Sequence, residues 1–224
     1  MVKKVGAITI GQSPRVDVVP EITGLMGRVE IVECGALDGL TNAQIAAMAP
    51  KEQDYVLVTR LRDGSSVKIS ETYILARMQA QIDRLVAEEG VEGILLLCSG
   101  EFPAFTCTQP LLYPQTLLQR FVTTVAQGKK LGVMTPDQDQ VAQGMRRWNS
   151  NGIGAVVAAA GSPYGPQEKI WEAAETLKSQ GAEMIVLDCI GFNQFMKEEI
   201  KRITGVPVIL PRTVAARAVA ELFG

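Results

Sequence analysis

The feature that most constrains this fold is a segment that occurs twice, each time ending close to a cysteine. Residues 90–100 read GVEGILLLCSG, and residues 181–191 read GAEMIVLDCIG. Each copy is an apolar run of strand length with a thiol at its carboxyl end, and the glycine two residues later lets the backbone turn. The sequence therefore predicts a duplicated strand that delivers one thiol, Cys98 or Cys189, from each half of the chain.

Strand-like and helix-like segments alternate along the rest of the chain. In the stretch 71–89, for example, apolar residues recur at helical spacing and so predict an amphipathic helix. Residues 55–61 and 66–69 flank a polar turn and predict an antiparallel β-hairpin. The alternation of strands and helices predicts an α/β fold with mainly parallel sheets covered by helices.

A second, weaker repeat indicates two related halves, because residues 5–9 (VGAIT) resemble residues 131–135 (LGVMT). Cys98 lies 93 residues after the start of the first copy, and Cys189 lies 58 residues after the start of the second. The first spacing is longer by 35 residues (93 − 58). This is about the length of a predicted helix at 41–49 plus the hairpin, which we interpret as an insertion in the first half.

The repeats predict two pseudo-symmetric, Rossmann-like lobes with a crevice between them. The first lobe is predicted at 1–128 and the second at 129–205, with 206–224 as a candidate to complete the first lobe.

The composition narrows the class of partner. The net charge is −2 and there is no basic run, so neither nucleic acid nor a membrane is an expected partner. No apolar stretch reaches the roughly 18 residues that span a bilayer, and the apolar start of the chain indicates a strand rather than a signal peptide. Four cysteines in such a chain are expected to be thiols rather than a disulfide framework, and the expected location is cytoplasmic.

Histidine is absent from the sequence. This absence removes Ser–His and Cys–His nucleophile pairs, and it removes histidine-ligated metals. There is no Cys-x-x-Cys pair either, so we expect no metal site.

The candidate site follows from the predicted sheet, because ligands of open parallel sheets bind beyond the carboxyl ends of the strands. In residues 11–15, GQSPR, Ser13 suits the N-cap and Pro14 the first position of a helix predicted at 14–26. With Arg15, such a helix start would bind a carboxylate or phosphate. The alternative is an ordinary helix start with Arg15 facing water.

The cysteines also allow two interpretations. A cysteine at a strand end is often a small core residue, but the matching positions of Cys98 and Cys189 favour a functional pair. Cys34 and Cys107 have no counterpart and are interpreted as structural. Glu101 either tunes Cys98, binds an ammonium group, or is an ordinary loop carboxylate.

Two further residues lie near the second cysteine in the sequence. Asp188 is predicted to point to the side of its strand opposite Cys189. Tyr164 either contributes a hydroxyl to the site or is an ordinary turn aromatic.

Four segments resemble the AroM family: TIGQSPRVD at 9–17, ECGALDGLT at 33–41, LLLCSGEF at 95–102 and LDCIGF at 187–192. The resemblance implies a link to aromatic amino acid metabolism. More distantly, the paired cysteines resemble the aspartate/glutamate racemase superfamily, which includes hydantoin racemases, maleate isomerases and arylmalonate decarboxylases. That resemblance implies two α/β lobes, one catalytic cysteine in each, and no cofactor.

The resemblance places Cys98 and Cys189 at the two thiol positions. Backbone and side-chain groups nearby would bind the substrate carboxylate; the candidates are Gln12, Ser13, Arg15, Ser99, Gly100, Glu101, Thr135, Ile190 and Gly191. The chain departs from its relatives at Thr135-Pro136-Asp137, where several have Thr-Pro-Tyr. It also lacks the Cys-Asn-Thr motif that is usual in amino-acid racemases, which argues against glutamate or aspartate as the substrate.

The leading hypothesis is a cofactor-independent racemase or isomerase of a small carboxylate. One cysteine, as thiolate, would remove the proton beside the carboxylate, and the other, as thiol, would return one from the opposite face. Hydroxyl and N–H donors would stabilise the intermediate. A non-catalytic metabolite-binding protein and a one-cysteine decarboxylase remain alternatives, and a homo-oligomer is left open.

Overall fold

The computed structural model describes residues 2–150, 152–153 and 155–224. The chain divides into two compact units. Unit 1 comprises the chain up to Pro114 together with Ala215–Gly224, and unit 2 comprises Gln115–Val214. In the described part of the chain, no helix is long and apolar enough to cross a membrane.

Unit 1 is built on a parallel four-stranded sheet with an antiparallel hairpin beside it in sequence. Its strands are β1 (Lys3–Thr9), β2 (Val29–Gly35), β3 (Val56–Arg60), β4 (Ser66–Ser70), β5 (Gly93–Leu96) and β6 (Leu111–Leu112). Its helices are α1 (Val19–Thr23), α2 (Asn42–Ala46) and α3 (Leu75–Ala87), with a 3₁₀ turn at Glu71–Tyr73. The sheet order is β2-β1-β5-β6.

Unit 2 is built on a second parallel four-stranded sheet. Its strands are β7 (Lys130–Thr135), β8 (Ala155–Ala160), β9 (Met184–Leu187) and β10 (Val208–Ile209). Its helices are α4 (Pro114–Val125), α5 (Val141–Asn149), α6 (Gln167–Ser179) and α7 (Gln194–Thr204), with a 3₁₀ turn at Gln138–Gln140. A final helix, α8 (Pro211–Phe223), starts in unit 2 and ends in unit 1. The sheet order is β10-β9-β7-β8.

The two sheets have the same topology, as the sequence repeats predict. With the hairpin left out, the sheet of unit 1 runs β2-β1-β5-β6, and the sheet of unit 2, read in the same direction, runs β8-β7-β9-β10. In both sheets the second strand of the unit lies at one edge and is followed by the first, third and fourth strands. The register agrees as well, because Val5 pairs with Gly93 in unit 1 and Leu131 pairs with Met184 in unit 2. These are the partners expected if the two copies of the cysteine segment occupy equivalent strands.

The predicted insertion lies between β2 and β5. It contains α2, which Thr41 and Gln44 cap reciprocally, and the hairpin, in which β3 and β4 pair antiparallel. The amphipathic helix α3 follows and buries Met78, Ile82 and Leu85 in the core of unit 1. Fully burying one such side chain stabilises a fold by about 1.5–3 kcal/mol.

Two sequence-based predictions differ from the structure. No helix begins at Pro14; α1 begins at Val19, because the backbone and hydroxyl of Ser13 bond Asp38 instead of capping a helix. The units also divide earlier than residue 128, because α4 packs Leu118 and Val122 into the core of unit 2.

The C-terminal segment 206–224 is the predicted candidate to complete the first lobe, but its first part belongs to unit 2. The strand expected at 206–210 is the short β10, which pairs with β9 in unit 2. Only Ala215–Gly224 returns to unit 1, where Phe223 packs over Gly93 of β5; a Cβ on that glycine would lie 2.7 Å from the ring atom Cε2.

Candidate functional site: two cysteine turns

The Cys98 turn, residues 98–101, follows the carboxyl end of β5. Leu97 donates its N–H to the carbonyl of Ile8, which ties the turn to the neighbouring strand β1. Cys98 is 7% exposed, and its Sγ accepts the N–H of Gly100 at 3.3 Å. A Cβ on Gly100 would lie 2.7 Å from Cδ2 of Leu57, so the close approach of the hairpin favours glycine here.

The Cys189 turn, residues 189–192, follows the carboxyl end of β9 and is built in the same way. Asp188 donates its N–H to the carbonyl of Met134 on the neighbouring strand β7. Cys189 is 6% exposed, and its Sγ accepts the N–H of Gly191 at 3.4 Å. Here a Cβ on the glycine would overlap the ring of Tyr164.

The shared feature is a backbone N–H that points at each sulfur. A hydrogen bond from a peptide N–H is stronger to a charged acceptor than to a neutral one, so this contact favours the thiolate over the thiol. The thiolate is the form of cysteine that abstracts protons and attacks electrophiles. Each unit therefore holds a sulfur in a setting that suits acid–base chemistry.

Tyr164 lies beside the second sulfur. Its hydroxyl is 3.8 Å from Sγ of Cys189, a distance at which either atom can donate to the other. The sequence left this tyrosine open as a site hydroxyl or a turn aromatic, and the structure places its hydroxyl at the thiol.

Asp188 points away from Cys189, as the alternation along a strand predicts. Its Oδ2 accepts hydrogen bonds from the guanidinium of Arg147 and from Nε1 of Trp148 at 2.8 Å. The Asp188 side chain is fully buried, and the Arg147 side chain is 7% exposed. This buried ion pair fixes the end of β9 to α5, one residue before the thiol.

Arg212, which sequence reasoning missed, holds the other side of the Cys189 turn. It is completely buried and donates to the carbonyls of Ile190 and Gly191 at 2.8–3.0 Å. The available signal was a single cation in the apolar run 206–216. An isolated arginine in such a run needs buried acceptors, and the two turn carbonyls provide them.

Ser13 and Arg15, predicted to bind a carboxylate, bond the protein's own carboxylates. The N–H and hydroxyl of Ser13 both donate to Asp38, at 2.9 and 2.6 Å, and the N–H of Arg15 donates to Glu33. These N–H groups are the donors that the predicted anion site required. Their role in substrate binding stays a prediction, and their contacts favour a role in holding the loop after β1.

The Arg15 guanidinium is likewise engaged. It is buried, donates to both oxygens of Asp17 at 2.8 Å, and donates to Thr9 Oγ1 at 3.0 Å. Burial raises the pKa of Asp17, but the hydrogen bonds and positive charge of Arg15 outweigh this effect and hold the pKa below its usual value. The pair therefore stays ionised at neutral pH, and Arg15 does not face water.

Gln12 joins the same loop to the hairpin. Its Oε1 accepts the N–H of Arg62 at 2.9 Å, and the Arg62 guanidinium donates to the carbonyl of Ser13. The inserted hairpin thus holds the loop that follows β1.

The remaining predicted residues divide between the two units. In unit 1, Ser99 is buried, whereas Glu101 is exposed and donates its N–H to the hydroxyl of Tyr55 at 3.1 Å. In unit 2, Ile190 is buried in its turn, and the buried hydroxyl of Thr135 donates to the carbonyl of Asp137. The structure thus groups Ser99, Gly100 and Glu101 with Cys98, and it groups Ile190 and Gly191 with Cys189.

The other two thiols have no such turn. Cys34 is buried in β2, and desolvation raises its pKa from 9.0 to about 12, so it stays protonated. Cys107 is partly buried beside the core of unit 1. No disulfide joins any of the four cysteines, all of which lie in the described part of the chain. Among the described residues, no group of three or more cysteine, aspartate or glutamate side chains is arranged to hold a metal ion.

Comparison with known proteins gives both a family and a fold. The model of the AroM protein family matches residues 5–223. No curated protein matches the chain in sequence. Similar solved structures include a maleate isomerase from Pseudomonas putida S16, an aspartate racemase from Picrophilus torridus and an unliganded arylmalonate decarboxylase.

These structures cover nearly the whole chain. The maleate isomerase has a TM-score of 0.64 at 14% identity and covers 99% of this chain and 93% of its own. The aspartate racemase has a TM-score of 0.61 at 17% identity, and the match covers 99% of this chain and 94% of the racemase. The decarboxylase has a TM-score of 0.61 at 12% identity, and the match covers 100% of this chain and 93% of the decarboxylase. At these identities the likeness shows the fold, which is the racemase-like α/β fold expected from the sequence.

Proposed function

Because this chain belongs to the AroM family and has a racemase-like fold, we propose that it is a cofactor-independent, two-cysteine isomerase or racemase. Its substrate is a small carboxylate with an acidic proton beside the carboxylate. The observation that carries the proposal is the pair of equivalent turns, each with a glycine N–H donating to a cysteine Sγ.

The mechanism uses the two sulfurs in opposite roles. One thiolate removes the α-proton and becomes a thiol, which leaves a carbanion conjugated with the carboxylate. The other thiol donates its proton to the opposite face of that carbon and becomes a thiolate. The N–H donors stabilise whichever sulfur carries the charge, so the two turns exchange roles in the reverse direction.

The neighbours support the substrate class. The solved structures include enzymes named for maleate, aspartate, arylmalonate and glutamate, and all four are small carboxylates. The predicted binding residues beside the thiols, Ser99 and Ile190, remain the candidates for holding a carboxylate. Arg15 and Ser13 are better suited to support the loop, because Asp17 and Asp38 already accept their hydrogen bonds. The cytoplasmic location and the link to aromatic amino acid metabolism stay predictions.

The test is solvent deuterium exchange with single serine variants. The protein is incubated in D₂O with both enantiomers of aspartate, glutamate and mandelate, with maleate, and with phenylmalonate. Interconversion and deuterium at the α-carbon are followed by NMR. Removing a general acid or base costs about 10²- to 10⁴-fold in rate. Cys98→Ser and Cys189→Ser should each cause that loss of interconversion, and each should retain exchange from one enantiomer only.

Cys107→Ser is the matched control, because Cys107 lies outside both turns and its replacement should leave the rate unchanged. Full activity in a Cys98→Ser/Cys189→Ser double variant would end the proposal.

A one-cysteine decarboxylase is the second candidate, favoured by the hydroxyl of Tyr164, which lies beside Cys189 and could take part in proton transfer there. A decarboxylase would release CO₂ from phenylmalonate, depend strongly on Cys189 and tolerate Cys98→Ser. A binding protein would show neither exchange nor CO₂ release, yet one of these carboxylates would raise its melting temperature through mass action.

A further inference from the structure

Tyr164 reaches Cys189 from a different strand of the same sheet. Cys189 follows β9 and Tyr164 follows β8, and β7 lies between these two strands. Neighbouring strands are about 4.8 Å apart, so the loop after β8 and the tyrosine side chain together bridge roughly 10 Å. The hydroxyl ends 3.8 Å from Sγ of Cys189. The order of the strands, rather than closeness in the sequence, therefore brings the phenol to the sulfur.

The loop that carries Tyr164, residues 161–166 (GSPYGP), holds the ring from both sides. Tyr164 donates its N–H to Oγ of Ser162 at 3.2 Å. The two prolines of the loop fix the backbone angle φ before and after the tyrosine. The ring itself packs against Gly191, where a Cβ would lie 2.7 Å from the ring atom Cε1. The fold therefore sets the position of the hydroxyl.

Burial by itself favours the neutral thiol of Cys189. This cysteine is 6% exposed and lies in the apolar core of unit 2. Cys34 shows the size of the effect in the same chain, because desolvation raises its pKa from 9.0 to about 12. A thiolate at Cys189 therefore needs hydrogen-bond donors or positive charge in place of the water that it has lost.

Three groups around Cys189 favour a negative charge on its sulfur. The N–H of Gly191 donates to Sγ at 3.4 Å, and the hydroxyl of Tyr164 lies within donating distance. The cation of Arg212 bonds the carbonyls of the same turn. Of the three, the tyrosine hydroxyl is the one that a substitution removes without changing the backbone or the shape of the turn.

The buried ion pair behind the turn does not oppose this charge. Asp188 points to the side of the strand away from Cys189, and Arg147 neutralises its carboxylate. The side chains of α6 and α7 that share the core with Cys189, such as Ile170 and Met196, are apolar.

We propose that Tyr164 is a positioning residue, which donates its O–H to the Cys189 thiolate and so keeps the negative charge on this sulfur before the reaction. The inference rests on the proposed two-cysteine function, in which Cys189 then acts first as the base and Cys98 as the acid. Once Cys189 has taken up the substrate's proton, the phenol oxygen accepts the S–H instead. No proton leaves the tyrosine, so the balance of the two-thiol step is unchanged.

The first test is the pH dependence of Cys189 alkylation by iodoacetamide, measured by peptide mass spectrometry. Tyr164→Phe removes the hydroxyl and keeps the ring against Gly191. Because the thiolate is the reacting form, Cys189 should react about tenfold more slowly at pH 7 in the variant, as expected for loss of a hydrogen bond to a charged group. The difference should shrink as the pH rises, because Cys189 is then ionised in both proteins.

Two controls accompany this measurement. Cys98 in the same samples should keep its wild-type rate at every pH. Tyr73→Phe removes a hydroxyl from a tyrosine that is 40% exposed and lies outside both turns, and it should leave both rates unchanged. Equal rates of Cys189 in wild type and Tyr164→Phe at pH 7, or a difference of the same size at every pH, would overturn the proposal.

A second measurement does not require the reagent to reach the sulfur. The ultraviolet absorbance of the Cys189 thiolate is obtained as the difference between each protein and the same protein with Cys189→Ser. Its rise with pH should begin at a higher pH in Tyr164→Phe than in wild type. Coincident curves would overturn the proposal.

The activity separates this proposal from the two-cysteine function. On a substrate that the protein interconverts, the rate should rise with pH as Cys189 ionises, and in Tyr164→Phe this rise should move to higher pH. If both serine variants lose interconversion but Tyr164→Phe leaves the pH profile unchanged, the function stands and the role of Tyr164 is wrong. If Tyr164→Phe alters Cys189 alkylation but the double serine variant stays fully active, the contact stands and the function is wrong.

Discussion

The Cys98 turn of unit 1 contacts the inserted hairpin, whereas the Cys189 turn of unit 2 is held by residues of its own half. Tyr55, just before β3, supplies a hydroxyl to the first turn, and Leu57 of β3 supplies an apolar contact. At the second turn, Tyr164 approaches the sulfur and Arg212 bonds the carbonyls. The first turn is therefore supported by the inserted hairpin, and the second by Tyr164 and Arg212.

This difference separates what the duplicated sequence specifies from what its surroundings add. In both units, a cysteine, one intervening residue and a glycine follow a central strand and make the same N–H···S contact. The supporting residues come from segments that are not duplicated. We therefore expect equivalent substitutions to have unequal effects in the two turns.

The largest effect is expected from the buried ion pair behind Cys189. Arg147→Ala leaves the Asp188 carboxylate buried without its cation, which costs about 3–5 kcal/mol. Both tryptophans of the chain, Trp148 and Trp171, lie in unit 2, so urea unfolding followed by tryptophan fluorescence reports that unit. Arg202→Ala removes an exposed ion pair as a control and should cost less than about 1 kcal/mol. Equal losses would show that the buried pair does not support this turn.

The next effect concerns Arg212, the buried cation that bonds the carbonyls of the second turn. Arg212→Met leaves the carbonyls of Ile190 and Gly191 buried without donors, at a cost of roughly 2–4 kcal/mol. Because the turn loosens locally, alkylation of Cys189 by iodoacetamide should accelerate several-fold while that of Cys98 stays constant. Peptide mass spectrometry measures both rates. A parallel change at Cys98 would mean that the two turns do not respond independently.

The glycines provide a direct comparison of the two turns. A Cβ on Gly191 overlaps the rigid ring of Tyr164, whereas a Cβ on Gly100 meets the end of the flexible Leu57 side chain. Gly191→Ala should therefore cost about 1–3 kcal/mol, typical of overpacking, and Gly100→Ala clearly less. Urea unfolding followed by circular dichroism measures both. The reverse order would contradict the contrast between the rigid Tyr164 ring and the flexible Leu57 side chain.

Cys34 extends the comparison to a thiol outside any turn. Its pKa is raised from 9.0 to about 12 by burial, so the folded protein holds this proton more tightly than the unfolded chain. The stabilisation is complete below pH 9 and is lost as the pH rises towards 12. At pH 10 wild type should have lost about 1.4 kcal/mol more than Cys34→Ala, relative to pH 7. Parallel curves of unfolding free energy against pH would show that burial of this thiol has no such effect.

Local patterns predicted much of the fold and the equivalent positions of the two cysteines at the ends of β5 and β9. The repeats predicted equivalent strands, their register and the insertion, because strand pairing follows the apolar pattern. The helix expected from Pro14 does not form, because Ser13 bonds Asp38 instead of capping a helix. These two residues are 25 positions apart in the chain, so no local pattern predicts their contact. Arg212 was missed, and the role of Tyr164 was left open, for the same reason. Their partners lie 21–25 residues away, and no local signal encodes such contacts.

The central claim is that two thiols act on opposite faces of one carbon, and the isotope content of the first product tests it most directly. A protiated enantiomer that the protein interconverts is converted in D₂O to less than about a tenth, a stage at which back reaction is negligible. Product and residual substrate are then separated and analysed by mass spectrometry. Two thiols predict one deuterium in the product and none in the residual substrate, because the abstracted proton and the donated deuteron belong to different sulfurs. A product that carries the original proton would mean that a single base moves it between faces, which would contradict the account.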